Sequence, residues 1–211
     1  MTHAAAAVRY WNAISPRYLE LFRDELSEKP DDVARLRAFA ASVAGGGAVC
    51  DLGCGPCAHV TQLMADAGLA VTGIDISDVA IALARKEHPG LDLRVMDASA
   101  LSFADESLDG LLAVYLIHYL PQAEWTALFA ECTRVLKPGG KLLVVAKEGD
   151  SEGFIADPLG GDVETFWSAS PPETLEAAVK AAGLHVAETF VRDALAGEIP
   201  VRRIFMTAVA G

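Results

Sequence analysis

Residues 48–60, AVCDLGCGPCAHV, run from a short apolar segment through Asp51 into a turn with glycines at 53 and 55, then out into a helix-forming stretch. A strand that ends on a carboxylate and a glycine turn before a helix reads as the first half of a βαβ unit. Glycine there lets the backbone bend sharply and approach a ligand closely. The same alternation spreads outward from this stretch. Strands are expected at 48–53, 69–77, 91–98, 108–115 and 141–148, with helices at 58–67, 78–87 and 122–136 between them. Lys137-Pro138-Gly139-Gly140 should stop the last of these helices. Strands separated by helices of this length predict right-handed crossovers and a parallel sheet buried on both faces. The end of the chain differs. After a helix at 172–182, LHVAETFVRD (184–193) and RRIFMTAVA (202–210) leave no room for a crossover helix, so they should be antiparallel neighbours.

The first 47 residues read as helices. Ser15-Pro16 has the form of an N-cap followed by proline at the first helical position, which opens a helix from about Arg17 to Lys29. Asp31-Asp32 starts another, with Leu36, Phe39, Ala40 and Val43 on one face, and Gly45-Gly46-Gly47 closes it. This predicts a helical lid over 1–47 and a core over 48–211.

The chain has 211 residues, is 52% hydrophobic and 22% charged, and so has enough apolar material for a core. Its net charge is −12. Residues 1–47 hold six basic and six acidic side chains, so the acidic excess lies entirely in the core. Such a surface repels phosphate backbones, which argues against nucleic acid as a partner. No apolar run is long enough for a membrane span, and Met1–Tyr10 lacks the basic start of a secretory signal. Together with four cysteines read as reduced thiols, this predicts a cytoplasmic protein without a membrane partner, monomeric or homodimeric.

Ligands of open α/β sheets sit at the carboxyl ends of the strands. Here those ends carry Asp51, Asp75 and Asp97, then Tyr115 to His118. A phosphate cradle wants successive N–H donors and no fixed negative charge. Pro56 removes a donor and Asp51 adds a carboxylate, so pyrophosphate fits poorly. A ligand with an ammonium, a sulfonium and a ribose, and no phosphate, fits better: S-adenosylmethionine. Taken together, VCDLGCGPCAHV (49–60), GIDIS (73–77), VMDASALSFADESLDG (95–110) and LKPGGKLLVV (136–145) resemble the successive motifs of class I S-adenosylmethionine-dependent methyltransferases. The resemblance implies an α/β fold, a Rossmann-like, seven-stranded, mostly parallel sheet with a reversed last strand. It also implies that Asp51, Gly53, Cys54 and Gly55 line the methionine end. Asp75 would accept hydrogen bonds from the ribose hydroxyls, with Ile76 against the adenine. Asp97 would accept from the adenine amino group beside Ala98, and the backbone of Ala113–Tyr115 would pass near the sulfonium. The sequence departs from the family at Cys57, which stands where a third glycine is usual. Tyr10 and Tyr18, in YWNAISPRYLELF (10–22), match the helical lid of small-molecule members.

The expected reaction is methyl transfer to a small-molecule acceptor by in-line displacement. His118 is the titratable group best placed to act as a base for a protonated nucleophile. The alternatives are a non-catalytic S-adenosylmethionine or S-adenosylhomocysteine binder and a dinucleotide-dependent oxidoreductase. Cys50, Cys54 and Cys57 have the C-x3-C-x2-C spacing of a radical-enzyme cluster, but Cys50 falls inside an apolar strand, and no metal is expected. The long connection 149–171, with Phe154, Phe166 and Trp167, is read as a wall of the acceptor pocket. Acidic walls would favour a neutral or cationic acceptor.

Overall fold

The side chains of the central strands point alternately to two separate cores, which fixes the layering. Cys50 and Leu52, Leu111 and Ala113, and Leu142 and Val144 pack into one apolar cluster with Trp125, Leu128 and Phe129. Val49, Leu112, Leu143 and Val145 pack into another with Leu36, Phe39 and Met64. Strands buried on both faces in this way need helices on both sides.

The computed structural model describes residues 3–211. Helices α1 (His3–Phe22) and α2 (Pro30–Ser42) precede β1 (Ala48–Leu52), α3 (His59–Asp66), β2 (Ala70–Asp75), α4 (Asp78–Glu87), β3 (Asp92–Val95) and β4 (Leu108–Val114). Next come α5 (Gln122–Val135), β5 (Leu136–Lys147), a hairpin of β6 (Ser151–Ile155) and β7 (Thr165–Ala169), α6 (Pro172–Ala181), β8 (Leu184–Arg192) and β9 (Arg203–Ala210). The main sheet has seven strands in the order β3-β2-β1-β4-β5-β9-β8. β9 runs antiparallel to both β5 and β8 and is the reversed strand. The chain switches direction across the sheet between β1 and β4, where a crevice opens at the carboxyl ends.

Two local expectations need correction. No helix begins at Arg17: α1 runs unbroken through Pro16. Ser15 is not its cap but is buried in mid-helix, its hydroxyl donating to the Trp11 carbonyl at 2.6 Å. Proline removes one helical hydrogen bond, and burial of Tyr10, Ile14 and Leu19 along the same helix outweighs that local cost. The first two residues of the expected lid lie outside the described residues. Secondly, β5 starts at Leu136 rather than 141, pairing Leu108 with Leu136 before a register shift that resumes at Gly110 and Lys141. The connection 149–171 is built around an antiparallel hairpin, β6–β7, and Pro158, Leu159 and Trp167 line the cavity.

α1 is tied down at both flanks. The Asn12 amide donates to Asp78, and the Ser77 hydroxyl donates to Asn12, at the start of α4. On the other side the Tyr10 hydroxyl donates to Asp157 at 2.9 Å, in the β6–β7 connection. Asp157 also accepts the N–H groups of Leu159 and Gly161. α1 therefore bridges the crevice.

Candidate active site

Beneath α1 lies a cavity of about 500 Å³ at the carboxyl ends of the strands. Asp97, Asp75 and Asp51 follow one another across β3, β2 and β1 along its floor; then come Tyr115 after β4, Lys147 on β5 and Arg203 on β9. The sheet thus sorts charge by strand, acidic on one half and basic on the other.

Asp75 is fixed by its own turn. One carboxylate oxygen accepts the Gly55 N–H at 3.0 Å and the other the Ser77 N–H at 2.9 Å. The glycine turn is also pinned to β2, because the Cys54 N–H donates to the Ile74 carbonyl. Each oxygen of Asp75 keeps a second lone pair for a pair of hydroxyl donors. Asp75 is only 6% exposed, and burial raises its pKa from 3.8 to about 6 against the pull of the backbone N–H groups of Ser77, Gly55 and Ile76. Asp51 is likewise buried and raised to about 6 by desolvation, while the Thr61 hydroxyl donates to it at 2.6 Å and nearby Asp75 adds repulsion. Two costly carboxylates at one cavity mark a site built for polar or cationic groups of a ligand.

Gly53 and Gly55 hold φ of +72° and +62°, the left-handed region that glycine enters without strain. Cys57 sits outside that region, and the left-handed conformation falls instead on Ala58, with φ of 44°. A thiol at the third-glycine position therefore needs no unusual backbone. Tyr115 is a second departure, a bulky residue at φ of 58° whose N–H donates to the Val145 carbonyl at 2.8 Å. Its hydroxyl is buried without a hydrogen-bond partner. Asp97 accepts from the N–H and hydroxyl of Ser99 while facing the cavity. Cys54, Ile76, Ala98, Tyr10 and Tyr18 line it too, although the hydroxyl of Tyr10 is committed to Asp157.

Two expected site residues lie elsewhere. Ala113 is fully buried in the core within β4, and Val114 lines the cavity in its place. His118 is 1% exposed and sits behind the wall, its ring packed against Tyr115, Tyr119 and Trp167 at 5.7, 5.9 and 5.3 Å between centroids. Neither ring nitrogen has a hydrogen-bond partner. Burial, then the charges of Lys147 and Arg203, push its pKa well below 6.5 and keep the ring neutral.

The basic half escaped the sequence reading. Arg192 grips Asp32 at 2.6 and 2.7 Å and Glu198 at 2.7 and 3.0 Å, and Lys29 reaches Glu198 at 2.7 Å and Glu25 at 2.5 Å. Burial alone would raise Glu198, but Arg192 and Lys29 hold its carboxyl far below the usual range. Arg203 adds an ion pair to Glu198 at 3.5 Å. The available signal was the charge that ends an unbroken apolar run, Lys147 after LLVVA. On this wall Lys29, Lys147 and Arg203 line the cavity together with Glu25, Glu28, Asp32 and Glu198. Among the described residues no group of three His, Cys, Asp or Glu side chains is arranged to hold a metal.

Residues 49–140 match a methyltransferase domain family. A phosphatidylethanolamine N-methyltransferase of Cereibacter sphaeroides is 33% identical over 138 residues, covering 63% of this chain and 64% of that protein. A phthiotriol/phenolphthiotriol dimycocerosates methyltransferase of Mycobacterium tuberculosis is 38% identical over 101 residues, 46% of this chain and 36% of that one. The chain thus spans less than two thirds of the length of these relatives. Among solved structures, the Burkholderia thailandensis 1,6-didemethyltoxoflavin-N1-methyltransferase, bound to its acceptor and S-adenosylhomocysteine, superposes with a TM-score of 0.76 at 18% identity. That match covers 98% of this chain and 88% of the other, a likeness of fold.

Proposed function

We propose, taking the chain as a class I S-adenosylmethionine-dependent methyltransferase in domain family and fold, that it transfers a methyl group to a small-molecule acceptor. The observation that carries this reading is Asp75, a buried carboxylate oriented by two backbone N–H groups with a lone pair left on each oxygen. In this reading Asp75 holds the ribose hydroxyls, Asp51 with the Gly53–Gly55 turn holds the methionine end, and Asp97 holds the adenine amino group with Ile76 and Ala98 alongside. S-adenosylmethionine, when bound, supplies an activated methyl on a good leaving group.

The chain's own contribution is position and exclusion of water. α1 roofs the cavity with Tyr10, Trp11 and Tyr18, and keeps solvent from the reacting atoms once the acceptor is seated. The left-handed turn at Tyr115 brings backbone and ring together at the boundary between the acidic and basic halves. His118, a neutral imidazole, serves as the base only for an acceptor that arrives protonated, and only if its ring swings past Tyr119 or Trp167. The named relatives that act on a lipid or on a toxoflavin precursor support a small-molecule acceptor. No described helix is long and apolar enough to cross a membrane, and we place the reaction in the cytoplasm.

Calorimetric titration separates this reading from its rivals. S-adenosylhomocysteine should bind at one saturable site and NAD should not. NAD binding without S-adenosylhomocysteine binding would overturn the proposal. A non-catalytic binder gives the same titration and differs in yielding no methylated product from any acceptor.

A further inference from the structure

One cation lining the basic half of the cavity is paired with no carboxylate. Glu25, Asp32 and Glu198 are matched by Lys29, Arg192 and Arg203. Lys147 is left over. Its ammonium makes no ion pair or hydrogen bond among the described residues and touches only ring faces, 4.5 Å from the centre of Trp167 and 5.6 Å from that of Tyr115. The Tyr115 hydroxyl, which feels the charges of Lys29, Arg203, Asp32 and Glu198, is buried without a partner. A half-buried ammonium on the cavity wall without a counter-charge is costly to maintain unless a ligand completes it. The aromatic walls around it favour a flat molecule.

We propose that Lys147 holds the ionised oxygen of a planar acceptor bearing an acidic hydroxyl, a phenol or an enol, and that it sets this specificity. The inference rests on the methyltransferase reading and names its substrate class. The acceptor loses its hydroxyl proton to solvent as it ionises against the ammonium. An electron pair of that oxygen then forms the new C–O bond while the donor's C–S bond breaks, its pair leaving on sulfur as a neutral thioether. The product oxygen is neutral, so Lys147 loses its partner and the product is released. No proton need pass to His118.

The surroundings of Lys147 agree. Burial first, then Arg203 on β9 and Lys29 before α2, lower its pKa from 10.5 to about 8, while Glu25 and Glu198 act the other way. At neutral pH it therefore remains an ammonium, and an anionic partner stabilises that form further. His118, the remaining titratable neighbour, is held neutral.

The test uses the full chain saturated with S-adenosylhomocysteine and needs no turnover. The probes are 4-nitrophenol and 4-nitro-1-naphthol, whose phenolate absorbance reports ionisation, with their methyl ethers as controls. Wild type should bind at least one phenol about tenfold more tightly than its ether and lower its pKa by about one unit or more, as an opposite charge a few ångströms away does. Lys147→Met should lose both the preference and the phenolate band, and Lys147→Arg should retain them. If neither phenol is preferred over its ether, or if Lys147→Met keeps the band, the inference fails. S-adenosylhomocysteine binding, measured first in each variant, separates that failure from failure of the methyltransferase reading. Loss of that binding in wild type condemns the reading itself, whereas intact binding without a phenolate band condemns only the role of Lys147.

Discussion

Lowering the pH from about 7.5 to about 5 should weaken S-adenosylhomocysteine binding, with a midpoint near the pKa of about 6 that burial gives Asp75. A carboxylate that must accept from two hydroxyls cannot also carry a proton. At pH 5 a group with that pKa is protonated in roughly nine molecules of ten, so the requirement to ionise weakens binding about tenfold. Asp51 shares a pKa of about 6. If the ligand's ammonium needs it charged as well, the loss approaches about a hundredfold. Asp75→Asn should cut affinity at pH 7.5 by about 30-fold or more, by removing charge-assisted hydrogen bonds, and should leave only the pH step of Asp51. The stability of the ligand-free protein should move the opposite way. Both carboxyls have folded pKa values above those of the unfolded chain, so the folded state holds protons that the unfolded state releases between pH about 4 and 6. Their stabilising contribution, complete below pH 4, is lost as the pH rises through that window, by about 3 kcal/mol each as an order of magnitude. The rise in Tm on adding S-adenosylhomocysteine should therefore grow with pH over the same range. Isothermal titration at several pH values reads this directly. A flat affinity between pH 5 and 7.5, or an Asp75→Asn variant that binds like wild type, would refute the reasoning.

Further outcomes follow from single contacts. Tyr10→Phe removes the hydrogen bond to Asp157 and should cost about 1 kcal/mol, seen as a lower denaturant midpoint with faster hydrogen exchange at 156–164. Cys57→Gly should leave donor affinity within about twofold of wild type, because Cys57 already adopts an ordinary backbone, while buried packing lost with the thiol lowers Tm slightly. Deleting residues 1–29 should reduce turnover far more than S-adenosylhomocysteine binding. In the intact chain, ligand should slow hydrogen exchange in residues 8–25, and equal protection with and without it would contradict a moving lid.

The acidic half of the site was legible because each of its carboxylates follows an apolar run at a strand end, so one local pattern gives both the element and the residue. The parallel strands follow from the same alternation, and the antiparallel pairing of β8 with β9 from a link too short for a crossover, while the seven-stranded sheet with a reversed last strand came with the family resemblance. What escaped notice depends on distant partners. Pro16 has the local appearance of a helix start, and only the contacts of α1 with α4 and Asp157 reveal why the helix continues through it. The β6–β7 hairpin lacks a tight two-residue turn and so left no short-range signal. Arg192 joins Asp32 across 160 positions, a pairing no local reading supplies, and without that network Lys147 cannot be recognised as the unmatched charge. His118 looked well placed from its distance along the chain to Tyr115, but the 3-10 turn at Ile117–Tyr119 turns it into the packing behind the wall.

The central claim is methyl transfer itself, and mass spectrometry tests it most directly. The chain is incubated with S-adenosylmethionine and a panel of planar phenols and enols, and both products are quantified. The account predicts an acceptor heavier by one methylene, formed in equal amount with S-adenosylhomocysteine and lost in Asp75→Asn. A protein that binds S-adenosylhomocysteine tightly yet yields no methylated product, from this panel or from a small-molecule cell extract, would contradict it.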